Sequence, residues 1–309
     1  MQWESLSRPD PVVGLDIGGA NIKSADTSGN ATSIEFPMWA RPAELSSRLT
    51  AQIEVFEKQS QVVATMTGEL ADCFLDRSVG ITHIVDHLCT ATRQLGMQEP
   101  LIYSVDGSFY PPNAALARID TIAASNWHAL ASYIAKEFLP EGFERGLVMD
   151  IGSTTTDLVP IRRGGVVAID SQTDFQRLRE GSLVYLGGNR TPVCSIVDRL
   201  EFRGESIPIM REVFATMGDV RLLLGYVNED SSNLDTADGK PADRFHATNR
   251  LARMIGLDHR EFDYAIARQF AQQVHDRARQ LVRDAFDSLV NAGRVSESDL
   301  VILSGHADD

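Results

Sequence analysis

Two stretches of the sequence follow the same pattern, which restricts the chain to folds built from two related parts. VGLDIGGANIKSAD begins at Val13, and LVMDIGSTTTDLVP begins at Leu147. Each reads as a buried strand, an aspartate, a glycine turn and an outgoing second strand. A repeated supersecondary unit indicates a fold assembled from similar halves. We therefore predict an α/β protein with an N-terminal domain over 1–145 and a C-terminal domain over 146–309.

The spacing of apolar residues predicts the elements between and after the repeats. Apolar residues at helical spacing predict helices over 42–59, 80–96, 126–138, 242–256 and 261–292. Short apolar runs predict strands over 61–67, 100–105 and 299–305. The polar stretch 228–244 buries few apolar groups and is expected to form a loop.

The composition excludes several classes of partner. The 309 residues carry a formal net charge of −14, which disfavours nucleic acid and anionic membrane surfaces. An anionic substrate would need a local cation, from a metal or from Lys and Arg. Cys73, Cys89 and Cys194 lie far apart, as is typical of reduced thiols. With no leader-like N-terminus and no apolar run of roughly 20 residues, we expect a cytoplasmic protein.

The two glycine turns predict phosphate sites. Glycine lets backbone N–H groups approach phosphate oxygens closely, and aspartates beside such turns hold Mg²⁺. We expect Asp16 and Asp150 to face each other across a cleft and to hold this metal. The predicted phosphate-binding residues, four in each turn, are Gly18, Gly19, Asn21, Lys23, Gly152, Ser153, Thr154 and Thr155.

The alternative is that both turns are only tight hairpins. Carboxylates at the ends of buried strands are costly without a counter-charge, which weakens that interpretation. The sequence contains no G-x-x-x-x-G-K-[ST] loop, and no G-x-G-x-x-G follows a strand. P-loop and Rossmann interpretations are therefore excluded.

A longer series of motifs resembles one known family. They are GLDIGGANIKSA, ATMTGELADCF, IYSVDGSF, AASNWHALA, MDIGSTTTDLVPI, GGNRTPVCSI and TADGKPADRFHATNRLARMIG, and they span nearly the whole chain. The paired turns resemble the phosphate loops of the actin, Hsp70 and sugar-kinase superfamily. Within it, the chain resembles the hydantoinase A/oxoprolinase family and its tetrahydromethanopterin-linked C1-transfer proteins. The resemblance implies a two-lobed, ribonuclease-H-like fold.

The resemblance also implies a reaction in methanofuran or methylofuran biosynthesis. A transferase of this family would join a furanmethanol diphosphate to the phenol of γ-glutamyltyramine and release diphosphate. Glu69 and Asp106, at predicted strand ends, are candidate bases for the phenol. The alternative for each of them is a helix N-terminal cap or a turn residue. Arg190 is a candidate partner of the glutamyl carboxylate, or forms a surface salt bridge.

Alternatives remain on the sequence alone. ATP-using members of the superfamily have a late glycine pair and a helix, whereas this sequence ends in LSGHADD. That ending indicates either a shortened second lobe or little support for adenosine, so we do not expect ATP. An ATP-dependent kinase or oxoprolinase-like hydrolase, or a regulatory protein without turnover, stays open. The oligomeric state also stays open, with a homo-oligomer as one alternative.

One pair of potential metal-ligating side chains is predicted to have a structural role. His83 and His87 lie four residues apart on a predicted helix, but no residues at matching spacing complete a ligand set. We predict that this pair lies on a packed or solvated helix face.

Overall fold

The fold is described from a computed structural model covering residues 11–56, 61–167 and 172–305. The chain divides into two compact units. The first comprises the chain up to Phe138 together with Gly164–Gln176, and the second comprises Leu139–Arg163 and the chain from Arg177 onward. The boundary predicted after Arg145 lies seven residues beyond Phe138 (145 − 138 = 7).

Within its described residues, the first unit contains six strands of one sheet, five α-helices and a short 3₁₀ helix. The elements are β1 (Val12–Ile17), β2 (Asn21–Asp26), β3 (Ala31–Glu35), the 3₁₀ helix (Pro42–Glu44), α1 (Leu45–Glu54), β4 (Gln61–Met66), α2 (Arg77–Gln94), β5 (Leu101–Tyr103), β6 (Phe109–Tyr110), α3 (Pro112–Leu116), α4 (Ile119–Ile122) and α5 (Asn126–Glu137). Strand β9 (Gly165–Val166) also belongs to this unit, and α6 (Asp174–Glu180) begins in it.

The sheet of the first unit has the order β3-β2-β1-β4-β5-β6. Strands β1, β2 and β3 are antiparallel neighbours, whereas β4 and β5 continue parallel to β1. This order is that of the ribonuclease-H-like fold, so the predicted fold class is confirmed. Because parallel strands end at a common edge, the residues that follow β1, β4 and β5 come together there.

One face of this sheet is buried and the other is partly open. Val13, Leu15 and Ile17 of β1 are at most 4% exposed and pack in a core that includes Leu49 of α1 and Ile84 of α2. Strand alternation places the remaining residues of β1 on the opposite face, where they are partly exposed. The open face is therefore the one on which polar side chains meet solvent.

The second unit repeats the hairpin and adds a helical layer. Its elements are β7 (Arg145–Ile151), β8 (Thr156–Arg162), β10 (Leu183–Val184), α7 (Val193–Ile196), β11 (Arg199–Phe202), β12 (Glu205–Pro208), α8 (Met217–Leu224), α9 (Arg244–Arg253), α10 (Tyr264–Asn291) and β13 (Leu300–Gly305). The sheet runs β10-β8-β7-β13, with β7 and β8 antiparallel and β13 parallel to β7. Helices α8, α9 and α10 share an apolar core around Phe262 and Phe270.

The polar stretch Asn228–Asp243 forms the predicted loop, but it is held in place by a buried charge. Arg250 of α9 is fully buried. Its guanidinium donates to Asp219 at 2.8 Å and to Asp238 of the loop at 3.0 Å. Arg253 also pairs with Asp238, at 3.2 Å.

The helices predicted from periodicity are confirmed, with ends set by capping residues. Helix α2 begins three residues before the predicted start, because the Asp76 side chain accepts from the N–H of Val79. Asp263 caps α10 in the same way. Helix α1 ends at Glu54, and residues 57–59 of the predicted helix lie outside the described residues. In the described part of the chain, no helix is long and apolar enough to cross a membrane.

The predicted histidine pair lies on a packed helix face of α2. His83 Nε2 lies 3.0 Å from the carbonyl oxygen of Pro42, and the rings of His83 and His87 are 4.1 Å apart. His87 Nδ1 accepts a hydrogen bond from the N–H of Ser46 at 3.0 Å, at the start of α1. A neutral His87 thus replaces a helix cap.

We expect this cap to fail in acid. Burial and neighbouring His83 lower the pKa of His87, although Asp86 acts in the opposite direction. The unfolded chain therefore binds a proton on this histidine before the folded one does, so stability falls as the pH drops below about 6.5. We expect this loss to be absent in His87→Asn, which keeps an acceptor for the helix cap but does not titrate; a helix cap as a whole contributes about 1 kcal/mol. Urea unfolding at pH 7.5 and 5.5 measures it. His259→Asn, at an exposed position, is the control. An equal loss of stability in wild type and His87→Asn would contradict the expectation.

Candidate functional site

The first glycine turn follows β1, and its geometry leaves two backbone N–H groups available. The N–H of Gly18 donates to the carbonyl of Asn21 at 2.9 Å, which closes the turn. Within the described residues, the N–H groups of Gly19 and Ala20 make no hydrogen bond. A Cβ on Gly18 would lie 2.9 Å from the carbonyl oxygen of Asn21, so the turn requires glycine there. Two adjacent N–H groups of this kind form a site for an anion.

Charged side chains lie directly behind this turn. Asp16 and Lys23 are cross-strand partners, and Lys23 Nζ lies 3.8 Å from Asp16 Oδ2. Thr65 of β4 donates its hydroxyl to Asp16 Oδ1 at 3.3 Å. Asn21 and Lys23 are both exposed on β2, as alternation predicts. The first unit therefore combines a carboxylate, a cation and a turn with two available N–H groups.

The second glycine turn has the same hydrogen bond and the same pair of N–H groups. The N–H of Gly152 donates to the carbonyl of Thr155 at 2.9 Å. In the part of the chain that the structure describes, the N–H groups of Ser153 and Thr154 make no hydrogen bond. Asp150 precedes the turn as Asp16 precedes the first. The two halves of the sequence repeat thus fold into the same local structure.

The loop that contains Arg190, a residue assigned from the sequence to the substrate and not to the turn, packs on the second turn. The N–H of Gly188 donates to the carbonyl of Gly152, and those of Asn189 and Arg190 donate to the carbonyl of Ser153. These bonds use carbonyl groups of the turn and leave its N–H groups available. The pair of glycines at 187 and 188 is a sequence signal for close backbone approach, but it does not indicate which segment approaches.

We expect Gly187→Ala to separate this loop from the turn. A Cβ at Gly187 would lie 2.3 Å from Thr154 N and 2.5 Å from Ser153 C, and backbone atoms cannot move aside as a side chain can. Overpacking of this kind costs about 1–3 kcal/mol of unfolding free energy. Urea unfolding measures the loss. Gly165→Ala, where nothing lies within 4 Å of the new Cβ, is the control and should change little. Equal stabilities of the two variants would contradict the expectation.

The hairpins differ in charge at one equivalent position. Lys23 faces Asp16 in the first, whereas Asp157 faces Asp150 in the second. Asp157 is bound by Arg177, whose side chain is 1% exposed and lies 2.7 Å away. No sequence pattern pointed to Arg177, because it lies twenty residues from its partner.

Glu69 follows β4 and is buried at the carboxyl edge of the first sheet. It is 1% exposed, and its Oε1 accepts from the N–H of Ala124 at 2.9 Å. Its Oε2 has no hydrogen-bond partner among the described residues. Burial raises the pKa of Glu69 to about 7. The carboxyl group therefore holds a proton near neutral pH, as an acid or base of matched strength does.

Asp106 follows β5 and closes a turn. It accepts from the N–H of Ser108 at 2.9 Å and from the Tyr110 hydroxyl at 2.7 Å. Burial acts to raise the pKa of Asp106, but these hydrogen bonds outweigh it and the pKa lies below its usual value. A more acidic carboxyl is a weaker base, so the geometry favours the turn-residue alternative. Its catalytic role remains a prediction.

Few side chains of the described residues could bind a metal ion together. Among the described residues, no group of three or more His, Cys, Asp or Glu side chains gathers as a metal site. Mg²⁺ is commonly bound by one or two carboxylates together with substrate phosphates. Asp16 beside the first turn and Asp150 beside the second fit that mode, whereas Asp157, which faces Asp150, is bound by Arg177. The shared metal site of Asp16 and Asp150 remains a prediction.

Comparison with known proteins identifies relatives over most of the chain. A Methanocaldococcus jannaschii protein named (4-{4-[2-(gamma-L-glutamylamino)ethyl]phenoxymethyl}furan-2-yl)methanamine synthase is 32% identical over 295 residues, covering 94% of this chain and 84% of that protein. A Methanococcus vannielii protein of the same name is 34% identical over 123 residues, covering 40% of this chain and 54% of that protein.

Solved structures are more distant. Nucleotide-free acetone carboxylase is 13% identical, with a TM-score of 0.49, covering 91% of this chain and 46% of that one.

The model of the Hydantoinase/oxoprolinase family matches residues 60–306, most of the sequence. The chain belongs to the hydantoinase/oxoprolinase family.

Proposed function

We propose that this protein is a transferase that forms the aryl ether of a methanofuran-type cofactor. The name of its Methanocaldococcus jannaschii relative describes a product in which a phenol oxygen is joined to a furan through a CH₂ group. The proposed donor is a furanmethanol diphosphate, and the proposed acceptor is the phenol of γ-glutamyltyramine. We place the reaction in the cytoplasm, consistent with three widely spaced cysteines.

The observation that carries the proposal is the matched pair of turns, each with a carboxylate and two available N–H groups. The reaction forms a bond from the phenol oxygen to the furan CH₂ group and breaks the bond from that CH₂ to diphosphate. The leaving diphosphate takes the electron pair and gains negative charge. The available N–H groups of the two turns would stabilise that charge without rearranging.

The remaining predicted residues have defined places in this proposal. Lys23, beside Asp16, would neutralise a terminal phosphate. A Mg²⁺ ion held by Asp16 and Asp150 would supply further charge neutralisation of the leaving group. Arg190, whose N–H is bound to the second turn, would pair with the glutamyl carboxylate.

The test is ether formation by purified protein supplied with Mg²⁺, the furan diphosphate and γ-glutamyltyramine. Diphosphate release and product should appear in equal amounts. Asp16→Asn should lower kcat/KM by roughly 100-fold or more, as losses of charge stabilisation do. Asp120→Asn, at a side chain 82% exposed in the same unit, is the matched control and should change little.

Calorimetric titration separates this function from its main alternative. Inorganic diphosphate with Mg²⁺ should bind to the wild type and much more weakly to Asp16→Asn. Tight binding of a non-hydrolysable ATP analogue, with ADP formed from ATP, would overturn the proposal in favour of an ATP-dependent kinase or hydrolase. Failure to form the ether with active substrates would also overturn it.

A further inference from the structure

Glu69 is enclosed at the carboxyl edge of the first sheet with one of its oxygens unsatisfied. Its Oε1 accepts from the N–H of Ala124, whereas its Oε2 has no hydrogen-bond partner among the described residues. An ionised carboxylate needs a donor at this atom, and a protonated one needs an acceptor. The described residues supply neither, which is costly for a side chain that is 1% exposed. A ligand group that donates hydrogen bonds would remove this cost.

Ser125 adds a second unsatisfied polar atom, one residue from the hydrogen-bond donor of Glu69. Its side chain is fully buried, and its hydroxyl makes no hydrogen bond among the described residues. Ser125 occupies the N-cap position of α5, where a serine hydroxyl normally accepts from an N–H of the first turn. No such bond forms, and the N–H of Trp127 is bound by the side chain of Asn126. The hydroxyl is therefore available to a ligand.

These two residues lie next to the first glycine turn. Gly68, which precedes Glu69, donates its N–H to the carbonyl of Ile17 at 3.0 Å. A Cβ at Gly68 would lie 2.9 Å from the carbonyl oxygen of Gly18, so the two stretches of backbone are in contact. Glu69 is one residue further, and neighbouring Cα atoms are about 3.8 Å apart. An anion at the turn and a cation at Glu69 could thus belong to one small molecule.

The charges around Glu69 leave this carboxyl group without a cation of its own. In the described part of the chain, Glu69 forms no ion pair. Arg77 lowers the pKa of Glu69 and Asp174 raises it, but both act less strongly than burial. The guanidinium of Arg77 donates to Asp120 at 3.4 Å. A bound cation would supply the counter-charge that the carboxylate lacks.

A ligand could reach Glu69 through the segment to which it belongs. Residues 67–76 join β4 to α2 without regular structure, and Leu70 and Leu75 in this segment are exposed. Irregular segments with few buried contacts open locally at a low free-energy cost. A small movement of this segment would therefore admit a ligand group to Oε2.

The product named for the Methanocaldococcus jannaschii relative contains a group that fits these atoms. Its name ends in furan-2-yl methanamine, a furan that carries a CH₂–NH₂ arm. In the proposed function, the furan diphosphate would already carry this arm, because the ether-forming step does not change it. A primary amine is an ammonium ion at neutral pH, and each of its N–H groups can donate a hydrogen bond.

We propose that Glu69 and Ser125 bind the ammonium group of the furan diphosphate and select donors that carry it. Glu69, as a carboxylate, accepts one N–H at Oε2, and Ser125 accepts another at Oγ. The diphosphate end of the same molecule binds the N–H groups of the first turn. The inference rests on the proposed function and gives Glu69 a role in specificity in place of the base predicted from the sequence.

Two donors that differ only in the aminomethyl arm test this assignment. Glu69→Gln should lower kcat/KM by about 100-fold for the aminomethyl donor, as loss of one partner of a buried charge pair does. For furanmethanol diphosphate without the arm, the change should be less than about threefold, since no charge pair is lost. Ser125→Ala should lower kcat/KM by about 10-fold for the aminomethyl donor alone. Glu137→Gln, at an exposed residue of α5, is the control.

A base would give a different pattern from an ammonium site. If Glu69 took the phenol proton, Glu69→Gln would slow the reaction of both donors equally, and that result would overturn the inference. So would a Glu69→Gln enzyme within about threefold of the wild type for both donors. Binding of inorganic diphosphate with Mg²⁺ as in the wild type shows that the variants are folded.

Calorimetric titration of the wild type at pH 6 gives a readout that needs no variant. The ligands are phosphonate analogues of the two donors, in which carbon replaces the leaving oxygen. Glu69 is mostly protonated at this pH, because burial raises its pKa to about 7, and it must ionise to hold an ammonium group. The aminomethyl analogue should therefore release about one proton more than the other, measured in two buffers of different ionisation enthalpy. Equal proton release would overturn the inference.

Failure of the inference can be distinguished from failure of the proposed function. Ether formation by the wild type, without a selective loss in Glu69→Gln, removes only the inference. Absence of ether formation by the wild type with either donor removes the proposed function and, with it, this assignment of the ligand.

Discussion

Replacing Arg250 with methionine is expected to lower the unfolding free energy by about 3–5 kcal/mol, because it leaves a buried charge without its partner. Asp219 is 4% exposed, and Arg250 is the cation that binds it, at 2.7 Å from Nη2. Asp219 would then keep the hydrogen bond from the N–H of Thr216 but would have no cation beside it among the described residues. Asp238 would retain Arg253. Most of the cost therefore arises at Asp219.

Urea unfolding followed by circular dichroism measures this loss. Arg244→Met, on the same helix, removes a pair with Glu229 whose side chains are 51% and 44% exposed. Exposed pairs contribute about 0–1 kcal/mol, so this control should remain close to the wild type. Adding Asp219→Asn to Arg250→Met should recover part of the loss. An Arg250→Met protein as stable as the control would contradict the expectation.

Glu69 is expected to make the protein less stable as the pH rises. Its folded pKa of about 7 lies above the ordinary value of 4.5. The folded state thus holds a proton that the unfolded state has released. The stabilising contribution is complete below pH 4.5, decreases between the two values and is lost above pH 7. A shift of this size corresponds to about 3 kcal/mol.

Glu69→Gln should remove this dependence, since its side chain does not titrate and its oxygen accepts from Ala124. The measurement is the difference in unfolding free energy between variant and wild type at pH 5 and pH 8. From pH 5 to pH 8, the stability of the variant relative to the wild type should increase by about 3 kcal/mol. Glu137→Gln, at an exposed residue of α5, is the control. A pH-independent difference for Glu69→Gln would show that Glu69 titrates normally.

The main strands and the two glycine turns could be predicted from the sequence because local patterns determine them. In each repeat, apolar alternation, an aspartate and a glycine occur within a few residues, and the observed hydrogen bonds from Gly18 and Gly152 are local. The caps Asp76 and Asp263 act only three residues along the chain. Such features need no knowledge of the tertiary structure.

The missing parts of the site depend on contacts between distant residues. Glu69 is buried against Ala124, fifty-five residues away, so its raised pKa had no local signal. Gly187 carried a signal, a glycine pair, but its contact with Thr154 could be known only from the fold.

The loop Asn228–Asp243 has a consequence for how such segments are treated in protein engineering. Its composition is that of a linker, yet Asp238 is fixed by Arg250 and Arg253, and Thr236 donates to the carbonyl of Lys240 at 2.7 Å. Deleting or lengthening it would leave Arg250 without one of its carboxylates. Tags, graft sites and protease sites therefore belong elsewhere, since this stretch is polar in sequence but structural in function.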